Sequence, residues 1–279
     1  MVPIEYLLNL LHEDIPFGDI TTESVIPDTE CRAMISVEQP AIVAGIEEAG
    51  ALFKYFGISV SGSVSDGTII EAGYTVLSLN GNARAILTVE RTALNIIGRM
   101  SGIATMTHRY SEIVHRIRPD CHIAATRKTC PGFRALDKKA VMIGGGDPHR
   151  WCLSDGILIK DNHLSFNTIP EAVSKARSHS RYHIVEIEVS SEDDAVLAAR
   201  SGADIIMLDN MDPTTVRGTI YRLRNEGLRD SITVEVSGGI DEDSLSSFAD
   251  SGVDIISIGA LTHSVKNISF HLDIRKISE

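Results

Sequence analysis

The sequence has no apolar run approaching the roughly 18–20 residues with which a helix crosses a bilayer, so a helical membrane anchor is not expected. Its first residues carry Glu5, Glu13 and Asp14 and no basic stretch ahead of an apolar core. A secretory leader is therefore not expected either, and the cytoplasm is the expected compartment. Cysteine is scarce: Cys31, Cys121, Cys130 and Cys152 form no CxxC pair and are too few for a disulfide scaffold. They read as reduced thiols, mostly packing residues. Basic charge is also short, with 26 Lys and Arg against 38 Asp and Glu and a net charge of −12. That excludes a broad nucleic-acid-binding face but not a small cationic pocket. There is no HExxH pair, so zinc is not expected, and His179 and His183 fall in a polar turn. No GK[ST] follows Gly144, Gly145 and Gly146, which read as a helix end rather than a phosphate loop.

What is present is an ordinary globular balance, 43% hydrophobic and 23% charged over 279 residues, enough for one large or two medium domains. From about residue 120 one unit repeats. Short apolar strands are predicted at 122–127, 156–160, 183–189, 204–209, 232–237 and 254–259, with helical patterns at 169–179, 192–201, 213–226 and 242–251. That spacing suits βα units and a parallel sheet covered on both faces. About six such strands closing on themselves predict an incomplete, TIM-like α/β barrel, with a doubly wound open sheet as the competitor.

The first 118 residues differ. Strands are predicted at 31–38, 41–45, 58–64, 68–79 and 83–88, a helix at 46–56, and a long helix over 89–117. Near the carboxyl terminus Ile268, Phe270, Leu272 and Ile274 alternate with polar residues, the mark of a half-exposed antiparallel strand. The expected organisation is an α+β open-faced sandwich from residues 1–118, a barrel over 119–264, and a segment 265–279 that returns to the first domain.

Polar residues appear where a barrel should be apolar. In VEIEV, Val185, Ile187 and Val189 face one way and Glu186 and Glu188 the other, which puts two carboxylates in the lumen. Such carboxylates need cations, a metal or polyol hydroxyls nearby. Neighbouring strands end on Lys160, Asp209, Ser237 and Gly259, at the rim where barrel active sites form. The stretch 126–163 holds seven Lys or Arg, four Asp and no Glu, a cationic island in an acidic chain that suggests an anionic small ligand. Within it Thr126, Arg127 and Lys128 close a strand. Arg127, Arg150 and Arg134 can each grip a planar carboxylate, whereas Lys128 and Lys160 act as point charges suited to phosphate. Surface ion pairs are the plainer reading for Lys138 and Lys139. His149 and His163 stand out for adjoining Arg150 and Asp161. Two glycine-bearing strand ends, Ser237, Gly238, Gly239 and Ile258, Gly259, Ala260, resemble a phosphate cradle.

These residues lie in motifs that resemble the quinolinate phosphoribosyltransferase family: FGDITT (17–22), AIVAG (41–45), GNARAILTVERTALNIIGRMSGIAT (81–105), TRKTCPGFR (126–134), HR (149–150), LIKDNH (158–163), VEIEV (185–189), MLDN (207–210), VSGGI (236–240) and IGALTHS (258–264). The resemblance implies the two-domain fold read above. It also implies conversion of quinolinate and phosphoribosyl pyrophosphate (PRPP) to nicotinate mononucleotide, pyrophosphate and carbon dioxide in NAD biosynthesis, with Mg2+ and no redox cofactor. By motif position, Arg127, His149, Arg150 and Lys160 are expected around the pyridine dicarboxylate, with Lys128 near the reacting groups. Glu188 and Asp209 are expected at the ribose hydroxyls and Mg2+, and Ser237, Gly238, Gly239, Gly259 and Ala260 at the 5′-phosphate. Arg91 is expected to enter the site of a partner subunit in a homodimer or a higher assembly. The alternatives are a non-decarboxylating nicotinate phosphoribosyltransferase, a molybdenum-operon-associated paralogue, an aldolase-like barrel with a Schiff base on Lys160, and a silent sugar-phosphate-binding protein.

Overall fold

The computed structural model describes residues 2–277. The chain divides into two compact units, one of Met1–His108, Pro131–Gly145 and Val265–Glu279, the other of Arg109–Cys130 and Gly146–Ser264.

The first unit is built on a four-stranded antiparallel sheet in the order Phe270–Lys276, Glu30–Val37, Thr75–Asn82, Ser59–Ser63. Period-two alternation puts Cys31, Ala33, Ile35 and Val37 into the core and their neighbours outward. The strand predicted from the terminal alternation is there, pairing Leu272 with Ile35. Its apolar side is only half covered, and Ile274 is exposed. The segment leading into it crosses a helix so closely that a Cβ on Gly102 would lie 2.3 Å from the Lys266 carbonyl oxygen, and one on Gly98 would lie 2.9 Å from that of Ile268. Only glycine fits there.

Residues 83–88, expected as a strand, instead open the 33-residue helix Ala83–His115. The cause is local: Asn82 Oδ1 accepts from the backbone N–H of Arg84 (3.0 Å) and Ala85 (3.3 Å), an N-cap that starts the helix early. The strand expected over 68–79 is likewise split, into Ile69–Ile70 and Thr75–Asn82, with Gly73 at φ 81° between them.

The second unit is a six-stranded, wholly parallel sheet in the order His122–Ala124, Ile255–Ser257, Thr233–Ser237, Ile205–Asp209, Val185–Val189, Ile157–Ile159. First and last strands in the sequence are neighbours, as in a barrel. The ring stays open between His122–Ala124 and Ile157–Ile159, where only a bridge from Ala124 to Asp147 continues it. The intervening helix, Arg134–Ile143, belongs to the first unit. Sequence expectation placed all of 119–264 in the barrel. The reason for the difference is compositional: that helix carries its own buried Leu136, Ala140 and Val141, and its Lys139 pairs with carboxylates of the first unit.

Helices begin at side-chain caps on Thr168, Ser191, Asp212 and Asp241. At the opposite rim from the functional ends, two aspartates repeat one device. Asp204 accepts from the Val185 N–H (2.7 Å) and pairs with Arg177; Asp254 accepts from the Val234 N–H (2.8 Å) and from Arg229 (2.6 Å). Each aspartate stitches the start of one strand to its neighbour. Conserving geometry there leaves the carboxyl-terminal rim to carry chemistry.

Candidate active site

The carboxyl-terminal ends of the six strands surround a cavity of about 470 Å³ in the second unit. Thr126, Arg127, Lys128, His149, Arg150, Lys160, Glu188, Asp209, Ser237, Gly238 and Gly239 all line it. So do Leu158, Met207, Asn210, Glu235 and Ser257, which the sequence reading did not single out. Ile258 is buried, and Gly259 and Ala260 are half-buried just beyond the lining. Gly259 nonetheless abuts the site, because a Cβ there would sit 3.1 Å from Lys128 Cδ. Arg91 is in the first unit, exposed, beside a separate hollow lined by Glu13, Asp14, Asn95 and Phe133.

Alternation in Val185–Val189 places the residues as expected. Val185, Ile187 and Val189 are buried against the covering layer, Glu186 is buried, and Glu188 reaches the cavity, where its carboxylate accepts from Lys160 Nζ. The same period in Thr233–Ser237 sends Glu235 inward, fully buried, and Ser237 to the rim.

Glu186 and Glu235 share one partner. His149 Nε2 lies 3.7 Å from Glu186 and 3.4 Å from Glu235, and Ser257 Oγ donates to Glu235 (2.5 Å). Burial opposes a charged ring here, as does the Arg150 N–H 2.8 Å from Nδ1. Against burial, the two carboxylates raise the His149 pKa from 6.5 to about 10. Glu186 is pushed up, first by burial and then by Glu235 across from it. One oxygen of each carboxylate has no hydrogen-bond partner among the described residues. His149 itself has φ 53°, a left-handed conformation uncommon outside glycine, and Asp147 holds it by accepting from its N–H (2.6 Å). These donor atoms are close enough to hold an ion. Within the chain itself the cluster forms an ionic floor to the cavity, a histidine ring between two buried carboxylates.

Above it sit the cations. Arg150 is held below the ordinary guanidinium pKa, first by burial and then by Arg127 beside it. The buried Arg127 Nε has no hydrogen-bond partner among the described residues. Two guanidiniums lining one cavity, near enough for each other's charge to be felt, are arranged for an anion to join them.

The cationic island does not survive as one patch. Lys139 pairs with Glu47 (2.7 Å), Glu48 (2.9 Å) and Asp66 (3.4 Å) in the first unit, and Lys138 is fully buried there. Asp137 of the same helix pairs with Arg99 (2.8 Å). Arg134 stands on that helix too. Only Arg127, Lys128, Arg150 and Lys160 of the seven cations face the cavity. His163 is not aimed at it either: its Nδ1 accepts from the Lys160 N–H (2.9 Å) and caps the short helix Asp161–Leu164. Among the cysteines, Cys31 and Cys121 are buried as packing residues. Cys130 is exposed and Cys152 half-buried, against expectation, because both stand in loops rather than elements.

The model of the quinolinate phosphoribosyl transferase C-terminal domain matches residues 103–273, and that of the N-terminal domain matches residues 19–101. The chain belongs to this family. A protein of Methanothermobacter thermautotrophicus named probable nicotinate-nucleotide pyrophosphorylase [carboxylating] is 43% identical over 98% of this chain and 99% of its own length. The rat nicotinate-nucleotide pyrophosphorylase [carboxylating] is 34% identical over 95% of this chain and 88% of its own. The solved nicotinate-nucleotide pyrophosphorylase of Francisella tularensis superposes with a TM-score of 0.90 at 35% identity, covering 99% of this chain and 98% of that one. The likeness to these relatives thus runs through nearly the whole chain.

Proposed function

We propose that the chain transfers a phosphoribosyl group from PRPP to quinolinate with loss of carbon dioxide, giving nicotinate mononucleotide and pyrophosphate for NAD biosynthesis. The observation that carries this reading is one cavity lined together by Arg127, Lys128, Arg150 and Lys160 and by Glu188 and Asp209. Paired guanidiniums with two ammoniums suit a dianionic acid better than the single carboxylate of nicotinate. The relatives' printed word "carboxylating" favours the same choice.

Each residue has work in that reaction. Arg127, Arg150 and Lys160 hold the pyridine dicarboxylate over the His149, Glu186, Glu235 floor, and Thr126 closes the same strand end. Ser237, Gly238, Gly239 and the neighbouring Ile258, Gly259 and Ala260 offer small side chains and backbone N–H groups to the 5′-phosphate. As pyrophosphate leaves, positive charge grows on the ribose carbon, and Glu188 and Asp209 offset it in a water-poor site. Lys128 balances charge on the departing pyrophosphate. Once bonded to ribose, the ring nitrogen is cationic and stabilises the carbanion left when the adjacent carboxylate departs as carbon dioxide, and a proton taken from solvent at that carbon completes nicotinate mononucleotide. Bringing two mutually repelling anions into register is the main contribution of the protein.

The oxygens of Glu188 and Asp209 are hard donors suited to Mg2+ arriving with PRPP. Bound there, the ion would neutralise phosphate charge. No step needs a redox cofactor. We further infer a cytoplasmic homodimer in which the exposed Arg91 reaches the partner's cavity. The test is direct: PRPP and Mg2+ with quinolinate should yield nucleotide and carbon dioxide, and nicotinate in its place should yield none. Turnover of nicotinate alone would overturn the reading.

A further inference from the structure

We propose that Asn210 is a positioning residue that fixes Asp209 and ties it to the turn 237–239, so that the ribose carboxylate and the phosphate seat act as one rigid piece. The inference rests on the phosphoribosyl reading of the cavity and adds to it a residue with no assigned role.

Three independent contacts meet at Asn210. It follows the strand Ile205–Asp209 with φ 54°, one of only two non-glycine residues in the left-handed region among the described residues. Asparagine tolerates that conformation better than most residues. Its side-chain Nδ2 donates to Asp209 Oδ2 (2.7 Å), which leaves the other Asp209 oxygen for ligand. Its backbone N–H donates to the Ser237 carbonyl (2.9 Å), continuing the ladder in which Asp209 and Ser237 are register partners.

The third contact is steric. Gly238, at φ 96°, lies so close that a Cβ there would be 2.3 Å from Asn210 Oδ1 and 2.6 Å from its Cγ. Glycine at 238 is thus fitted to the amide of Asn210, not only to a phosphate. The amide is wedged between the turn and the carboxylate, and its NH2 end must face Asp209 because an oxygen there would repel it. An aspartate free to rotate would have to be ordered each time substrate bound; one already clamped would not.

Two variants separate the amide from the backbone. Asn210→Gly keeps the left-handed turn and removes the clamp. Asn210→Asp keeps size and turn but sets a second carboxylate against Asp209. Calorimetric titration of the full-length protein with PRPP and Mg2+, without quinolinate, should show affinity lowered by about tenfold to a hundredfold in both, the range expected for losing a hydrogen bond to a charged group. KM for PRPP should rise in parallel, while KM for quinolinate and the thermal midpoint of Asn210→Gly stay at wild-type values. In an Asp209→Ala background, Asn210→Gly should add nothing further. Wild-type PRPP affinity in both variants, or an undiminished effect without Asp209, would overturn the inference and leave the activity standing. Wild-type protein that takes up no PRPP would overturn the activity and this role together.

Discussion

Lys160 Nζ donates to a carboxylate oxygen of Glu188 across neighbouring parallel strands, one residue past the paired Ile159 and Ile187. Lys160 is partly exposed and Glu188 nearly covered. The pair therefore sets a carboxylate and a partly exposed ammonium side by side at the cavity wall, where the cation can be offered to an incoming anion. On the proposed chemistry, Glu188→Ala should lower kcat by about 10²–10³, the size of losing one preorganised charge-stabilising group. Val189→Ala, one position along and facing the helices, should cost about 2 kcal/mol of stability and leave turnover largely intact. Steady-state kinetics beside thermal melts decide it, and equal losses of turnover would count against the inward placement of Glu188.

Arg127→Ala should reduce kcat/KM for quinolinate about a hundredfold or more, since it removes one partner of a desolvated charge pair. Arg127→Lys should recover only part of that, because an ammonium cannot make two parallel hydrogen bonds to one carboxylate. Kinetics matching the wild type in Arg127→Ala would remove it from the dicarboxylate site.

The His149 ring makes a prediction about stability rather than rate. Its pKa is raised from 6.5 to about 10, so its contribution is fully present below about 6.5 and is lost as pH climbs through about 10. Between those limits the wild-type melting temperature should fall with rising pH more steeply than that of His149→Gln, which has no proton to lose. Parallel melting curves for the two proteins would show that the imidazolium is not held by Glu186 and Glu235.

Arg91→Ala and Lys160→Ala should each inactivate the homogeneous enzyme. Mixed and reassembled, they should regain part of the activity, because one of the hybrid's two sites would receive an intact Arg91 and an intact Lys160. Persistent inactivity in a mixture that sizing or tagging proves to be hybrid would refute a shared site.

The architecture was legible in the sequence wherever periodicity was strong. The six parallel strands and the helices Ile169–His179, Glu192–Arg200, Pro213–Asn225 and Glu242–Asp250 lie within a residue or a few of their expected places. What misled was side-chain identity without context. ARAILT at 83–88 has an apolar content that fits either element, and one cap from Asn82 decides it. Glu186 and Glu188 announced themselves through alternation, and Glu235 satisfies the same rule. It escaped because a single carboxylate in TVEVS stands out less than two in VEIEV. Proximity in sequence also made one island of seven cations, although the chain changes units between Lys128 and Arg150. The contact of Gly238 with Asn210 had no signal at all, since it is made only when two strand ends meet.

The antiparallel sheet takes its edge strand, Phe270–Lys276, from the far end of the chain. A ribosome therefore releases Glu30–Val37 long before the strand that shields it exists, and for that interval a pairing-ready rim is open to other nascent chains. Stopping synthesis ahead of Phe270 would leave the barrel's sequence complete and the polypeptide prone to aggregate.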